Sequence, residues 1–458
     1  MTNLQSLKVA YIGGGSKGWA INLMNDLALE SRISGTVALY DINYDAAQRN
    51  AQIGNRISKH EKAKSNWKYE AVTTMEEALT GSDFVIISIL PGTFEEMASD
   101  VHTPEKYEVY QSVGDTVGPG GLVRALRTIP MFVEMAESIK KYAPEAWVIN
   151  YTNPMSLCTR TLYEVFPEIK AFGCCHEVFE TQNLLAEVVK EFLNKEVQNR
   201  TDIKVNVLGI NHFTWINQAS YQNIDIMPYY KQFVEKYEET GFEKEEGEWK
   251  KSVFSSCNKV KFDLFKKYGL IAAAGDRHLA EFMPPTYLKN PETVAYWKFH
   301  LTHVDFRKKD SIEKVNHNQA LIQGKEELNL TQSSEEGVNI ILALLGIEDL
   351  VTNVNYPNKG QIEGLPLGTI VETNALFKKD SVQPVFAGKL PLDIHNMVSR
   401  HVINQESILK ASLTKDKQLA FNTFVNEPLL SSVSREDAEK LFNEMLENTK
   451  NYLTGWAI

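Results

Sequence analysis

Three short stretches concentrate residue types that carry chemistry: Gly173-Cys174-Cys175-His176-Glu177, Asn211-His212, and Gly275-Asp276-Arg277-His278 followed by Glu281. Thiolate and imidazole both bind divalent first-row metals. Cys175 and His212, with His176 beside the thiol, therefore make a candidate metal group whose open positions would suit a substrate's hydroxyls. The third stretch packs Asp276, Arg277, His278 and Glu281 into six positions, at what reads as a loop-to-helix junction with Asp276 as a possible N-cap. Asn153 stands before Pro154 at a strand end, and Asp115 and Arg124 bracket a glycine-rich segment. Each has a plainer reading. A buried cysteine is usually a small hydrophobe, an Asp before a helix is usually a cap contributing about 1 kcal/mol, and Asn153 and Asp115 suit ordinary turns.

A fourth stretch supplies a second kind of chemistry. Val9-Ala-Tyr-Ile leads into Gly13-Gly14-Gly15-Ser16-Lys17-Gly18, and a helical pattern follows from Ile21 to Leu29. The Gly13, Gly15 and Gly18 spacing between strand and helix suits a dinucleotide: one glycine for the turn, one for close approach of the pyrophosphate, one for helix packing. The helix N-terminus would then face the phosphates. A second apolar strand ends in Asp41, about 20 residues past the last glycine, where a carboxylate grips a ribose diol and disfavours a 2′-phosphate. Gly13, Gly14, Gly15, Ser16, Gly18 and Asp41 are the candidate cofactor contacts, for NAD in preference to NADP.

These residues need a framework that puts strand ends together, and the pattern predicts one. Strands alternate with helices: a helix over 45–60, short strands at 69–72 and 83–90, a helix over 129–142, strands at 147–153 and 170–177, and helices over 156–165 and 180–194. The run 83–90 is apolar almost throughout, as a parallel strand buried on both faces must be. Segment 111–124 is read as a glycine-rich loop that wraps a ligand, and 227–251, crowded with Glu and Lys, as a solvated helix pair or lid. The expected architecture is a Rossmann-type doubly wound parallel sheet, similar to lactate and malate dehydrogenases, over residues 1–200. A second, mixed α+β domain over 201–458 would carry helices at 337–345, 395–413 and 435–453 and strand-like runs at 203–215, 350–354, 369–373 and 382–386.

Composition narrows the class. The 458 residues are 43% apolar, enough for a large core, and 59 acids against 48 bases leave a net charge of -11, which disfavours nucleic acid and anionic membranes as partners. Four cysteines do not make a disulfide framework. No run of about 18 apolar residues is present, and 1–6 lack the apolar core of a signal peptide, so a cytoplasmic protein is expected.

The motifs Ile12-Gly-Gly-Gly-Ser, Asn150-Tyr-Thr-Asn-Pro, Gly173-Cys-Cys-His, Gly209-Ile-Asn-His-Phe and Gly275-Asp-Arg-His resemble those of glycoside hydrolase family 4, whose members use NAD and a divalent metal. Gly114-Asp-Thr-Val-Gly-Pro-Gly-Gly and Ala272-Ala-Ala-Gly-Asp-Arg-His-Leu-Ala-Glu-Phe look most like its α-galacturonidase branch. The resemblance implies Cys175 and His212 as Mn2+ ligands, His176 as acid, Asp276 as base and Asn153 as a substrate contact, with Asp115 also near the sugar. Phospho-glycosidase branches carry Tyr and Asp where this chain has Asp276 and His176, which argues against a 6-phosphate.

The implied chemistry is oxidation at C3 by NAD, loss of the C2 proton, elimination of the aglycone and addition of water, with no net redox change. A uronide carries a carboxylate, for which Arg124, Arg277 and His278 are candidate partners. A homodimer or homotetramer is implied by the resemblance alone. The alternatives are an α-galactosidase or α-glucosidase of the same family, a malate-type 2-hydroxy-acid dehydrogenase, and a non-catalytic NAD sensor.

Overall fold

The computed structural model describes residues 5–245 and 247–458; residues 1–4, on which the reading of the N-terminus partly rests, lie outside the described residues. Six strands, β1 (Gln5–Ile12), β2 (Ile33–Tyr40), β3 (Trp67–Val72), β4 (Phe84–Ile87), β5 (Trp147–Asn150) and β6 (Lys170–Gly173), run parallel in the order β3-β2-β1-β4-β5-β6. This is the Rossmann-type sheet the alternation predicts. Every residue of β4 and β5 is buried, because helices cover both faces. The crossovers are α1 (Trp19–Leu29), α2 (Tyr44–Ile57), α3 (Met75–Leu79), α4 (Phe94–His102), α5 (Gly118–Tyr142) and α6 (Met155–Val165), and α7 (Glu177–Leu193) follows β6. Strand order reverses between β1 and β4, which opens a crevice at their carboxyl ends.

The segment read as a wrapping loop is half helix. α5 begins at Gly118, so Gly118, Gly120 and Gly121 lie in its first turn, and Arg124 is a helix residue. These glycines serve close packing. A Cβ on Gly121 would stand 2.5 Å from the carbonyl carbon of Thr116, and one on Gly120 would stand 2.6 Å from the Asp100 carbonyl oxygen. Pro119 suits a first turn, where its missing N–H has no partner to lose.

Beyond α7 the chain forms a hairpin where one strand is read: β7 (Ile203–Ile210) pairs antiparallel with β8 (Phe213–Tyr221), turning through Asn211 and His212. Then come β9 (Ile224–Asp225), α8 (Met227–Tyr237), α9 (Lys259–Tyr268), β10 (Ile271–Ala272), α10 (Asp276–Glu281), α11 (Pro291–Tyr296), α12 (Val304–Gln323) and α13 (Gly337–Leu344). α12 is absent from the sequence reading because its apolar residues form no one-sided stripe. The sheet is not confined to one half of the chain. β11 (Leu350–Pro357) pairs antiparallel with β6 and is followed by β12 (Ile362–Glu363); β13 (Ile370–Lys378) and β14 (Ser381–Pro384) extend the sheet to nine strands.

After β15 (Gly388–Lys389), α14 (Leu392–Thr414), α15 (Lys417–Phe424) and α16 (Arg435–Thr449) pack on α5. Leu122, Leu126 and Ile129 share one core with Val398, Val402, Phe424 and Leu441. Each such side chain contributes about 1.5–3 kcal/mol on burial, so the C-terminal helices fix α5 and the loop that precedes it. Among the described residues no helix is long and apolar enough to cross a membrane.

Candidate active site

Five segments end at one place. β5 runs into Asn153, β6 into Cys175 and His176, the β7–β8 turn presents His212, α10 opens with Asp276, Arg277 and His278, and the loop before α5 brings Asp115. All of these side chains line one cavity of about 550 Å³, whose wall also includes Trp19, the first residue of α1. Cys175 and His212 therefore face the same space, next to the helix that follows the glycine loop. Arg124 does not line that space. It is buried, its Nε donates to the Asn153 carbonyl at 3.2 Å, and its charge is spent beside Asp115, so it supports the site and does not reach a substrate.

The tightest group of potential ligands is Asp115, His212 and His278, whose ligand atoms all lie within 4.8 Å of one another. The two imidazoles stack with centroids 3.8 Å apart. The Thr116 hydroxyl donates to Asp115 at 2.7 Å and lies 3.0 Å from Nδ1 of His212. Having donated its proton, that hydroxyl accepts from Nδ1–H, which leaves the His212 Nε2 lone pair free for a cation. Burial first, and the neighbouring His278 second, push His212 down to about 3, so its ring is neutral, as a ligand must be.

Burial works against ionisation of Asp115, yet Arg124 and the two histidines outweigh it and hold the carboxyl well below its usual range. Burial and Glu372 raise the Cys175 thiol, so a cation there displaces a proton. Oxygen, nitrogen and sulfur donors together fit a borderline divalent ion. The sequence reading paired Cys175 with His212. Geometry adds Asp115, read there as a substrate contact, and His278, read there as a carboxylate partner.

Asp276 is no cap for its own helix, whose N-cap is Gly275. Its Oδ1 instead accepts from Lys261 N at 3.0 Å, in the first turn of α9, whose N-cap Asn258 makes no side-chain cap bond. Its Oδ2 is buried without a partner among the described residues. Burial outweighs the α9 N–H groups and raises Asp276 to about 6. A carboxyl so placed is poised to exchange a proton near neutral pH.

His176 is less buried, with Nδ1 3.4 Å from Glu335, which precedes α13. Glu177 accepts from Gly275 N at 2.5 Å and lies 3.4 Å from Nε2 of His278. Burial opposes its ionisation, but the surrounding histidines and that N–H bring it down to about 2. Glu281 accepts from Val113 N and Gly114 N at 2.7 and 2.9 Å and so pins the Asp115 loop to α10. Sequence reading gave no role to Glu177 or Glu335. Glu335 sits in a Ser-Ser-Glu-Glu run that reads as a solvated loop, and only the tertiary fold brings it to His176.

The glycine loop lies at the crevice between β1 and β4. Gly13 N and Gly14 N donate to the Tyr40 carbonyl at 2.9 and 2.8 Å, and Asn50 Nδ2 donates to the carbonyls of Gly14 and Ser16. Gly13 has φ +91°, and a Cβ there would fall 2.0 Å from the Ser88 carbonyl oxygen. The third glycine departs from expectation. Gly15 is the one against a helix, its Cβ position being 2.6 Å from Ala46 in α2, whereas a Cβ on Gly18 would meet nothing within 4 Å. The open ground at Gly18 fronts an α1 N-terminus with no side-chain cap and no acidic residue in its first turn, which fits a phosphate. Asp41 stands at the end of β2 and accepts from Gly15 N at 2.9 Å.

Family models match almost the whole chain: "Family 4 glycosyl hydrolase" over residues 8–191 and "Family 4 glycosyl hydrolase C-terminal domain" over 207–430. An α-galacturonidase of Thermoanaerobacter italicus is 61% identical over 454 residues, covering 99% of this chain and 98% of the relative. A Bacillus subtilis protein crystallised under the name glucosidase superposes with a TM-score of 0.93 at 57% identity, over 97% of this chain and 100% of its own. The 6-phospho-β-glucosidase of Thermotoga maritima, solved with manganese, NAD+ and glucose-6-phosphate, superposes with a TM-score of 0.78 at 22% identity, over 97% and 99%. That last likeness is one of fold.

Proposed function

The chain belongs to family 4 of the glycosyl hydrolases and is a glycosidase, and from that premise we propose that it hydrolyses α-galacturonides with NAD and Mn2+ as cofactors. One observation carries the reading: Cys175, His176, His212 and Asp276 converge on a cavity whose wall includes the first residue after the glycine loop. Ordinary hydrolysis needs only acid and base groups. A dinucleotide loop and a cluster of metal donors beside them point to redox-assisted elimination. The 61% identity to an α-galacturonidase supports the uronide as substrate.

In this reading the main chain of Gly13, Gly14, Gly15 and Ser16, the open ground at Gly18 and the Asp41 carboxylate hold NAD. Cys175 and His212, with Asp115 and His278, hold the cation. When bound, the two supply a reversible hydride acceptor for C3 of the sugar and a Lewis acid that acidifies the C2 proton. Asp276 takes that proton, and its unpartnered Oδ2 is the oxygen free to do so. His176 protonates the departing glycosidic oxygen, its ring oriented by Glu335. Asn153, whose Oδ1 is buried without a partner among the described residues, offers a hydrogen-bond acceptor to a sugar hydroxyl.

The test compares aryl α-galacturonide, α-galactoside and α-glucoside with NAD+, Mn2+ and a thiol reductant present, before and after chelation. Release from the uronide, lost on chelation and restored by Mn2+ without net NADH, is the expected result. Cleavage of a neutral hexoside alone would move the assignment to a sister branch. Stoichiometric NADH would replace hydrolysis with dehydrogenation.

A further inference from the structure

The cavity carries a pair of cations to which the elimination chemistry gives no task. Arg277 of α10 and Arg307 of α12 both line it. Their guanidinium carbons lie 5.3 and 5.7 Å from the centroid of one ring, that of Phe254, which is 52% exposed. Arg277 is 7% exposed. Its Nη2 donates to the Ser112 carbonyl at 3.1 Å and to the Thr302 hydroxyl, and its Nε has no acceptor among the described residues. No hydrogen bond or ion pair holds the Arg307 head among the described residues.

Other cations near the cavity are engaged. Lys244 pairs with Glu187 at 2.8 Å, Lys261 donates to Thr181 at 2.9 Å, and Arg124 faces Asp115. Two of the cavity carboxylates are held by other groups: Glu177 by Gly275 N and His278, Glu243 by the N–H groups of Gly247 and Trp249. Two guanidiniums turned to one ring repel each other. An anion between them removes the repulsion. Carboxylate is the anion whose two oxygens match the planar N–H fork of arginine.

We infer that Arg277 and Arg307, spaced by Phe254, form the seat of the substrate's C6 carboxylate and set the preference for a uronide over a neutral hexoside. This rests on the galacturonide reading above. Arg277 contributes the half of the seat that hydrogen bonds hold in place, Arg307 the half that they do not. Arg277 was among the candidates in the sequence. Arg307 was not, because it lies in a charge-rich segment, Arg307-Lys308-Lys309-Asp310, with no apolar stripe to mark the helix that carries it.

The experiment is calorimetric binding of galacturonate and of its methyl ester to the protein loaded with NAD+ and Mn2+. Wild type is expected to bind the acid at least tenfold more tightly than the ester. Arg307→Met should lose most of that ratio by weakening the acid alone, and Arg307→Lys should restore part of it. Because buried Arg277→Met risks the fold, Arg307→Met decides. Wild type with no preference for the acid would overturn the galacturonide reading and this seat together. Wild type with the preference, and Arg307→Met retaining it or weakening both ligands equally, would overturn the seat alone.

Discussion

The glycine loop and the polar cavity beside it are built on opposite plans. The loop is main chain: contiguous residues whose N–H and C=O groups bond to Tyr40, Asp41 and Asn50, with no buried titratable group among Gly13 to Gly18. The cavity is side chain, assembled from segments between Trp19 and Arg307, and burial acts on the ionisation of Asp115, Cys175, His212 and Asp276 within it. A main-chain site fails when space is filled, and a side-chain site fails when a proton or charge is misplaced. Substitutions in the two should therefore separate cofactor binding from turnover.

The largest effect is expected at Asp276→Asn. Asparagine accepts from Lys261 N as aspartate does, so α9 keeps its partner, while its amide N–H groups replace the unpartnered Oδ2 at a cost of about 1–3 kcal/mol of stability. The proposed base is gone, however, and turnover should fall by about a thousandfold, within the range for general acid–base groups. NAD+ affinity, read by calorimetry, should stay within about twofold. In the parent the Asp276 value is raised to about 6, so this group's contribution to the rate should grow as pH rises through that value and the carboxylate forms. Weakened NAD+ binding in the variant would erase the division between the two regions.

Next come two glycines, compared with each other. Gly13→Ala puts a methyl 2.0 Å from the Ser88 oxygen at φ +91°, which costs on the order of 1–3 kcal/mol of stability and should weaken NAD+ about a hundredfold. Gly18→Ala meets nothing within 4 Å and should leave the melting temperature unchanged while weakening NAD+ about tenfold, because its methyl occupies the ground before α1. Mn2+ affinity, followed by electron paramagnetic resonance, should be the same in both and in the parent. Gly18→Ala with parental NAD+ affinity would mean that the open ground is not where the phosphates lie.

The same contrast explains what could be read from the chain. The glycine loop was legible because its function is encoded in spacing, and the parallel strands because burial on both faces leaves continuous apolar runs. Cys175, His176, His212 and Asp276 were legible by type and by position at strand and helix ends. Their partners were not. Glu335 and Arg307 lie far along the chain in segments that look solvated, and only tertiary packing brings Arg307 to the cavity and Glu335 to His176. The possible capping role of Asp276 falls on α9 and not on α10, because a cap supplied across the fold leaves no local pattern. The first turn of α5 was misread as loop because close packing and flexibility both call for glycine.

The smallest effect separates the regions by pH. Glu281 ties the Asp115 loop to α10, and burial, against the two N–H groups it accepts, raises it from 4.5 to about 7. A raised folded value means that the native state holds the proton more tightly than the unfolded chain. The stabilisation from this group is thus complete below about 4.5 and is lost as pH rises through about 7. Glu281→Gln keeps an acceptor for Val113 N and Gly114 N and removes the titration. Its amide also buries N–H donors where Oε2 has no partner, a cost that is the same at every pH. The readout is therefore the change with pH: between pH 4 and pH 8 the variant should gain on the order of 1 kcal/mol relative to the parent, a few degrees in melting temperature. Gly13→Ala, with no titrating group involved, should shift the melting temperature equally at both. Parallel curves for Glu281→Gln and the parent would show that the anchor carboxyl is not strained by burial, and the electrical half of the contrast would fall while the steric half stands.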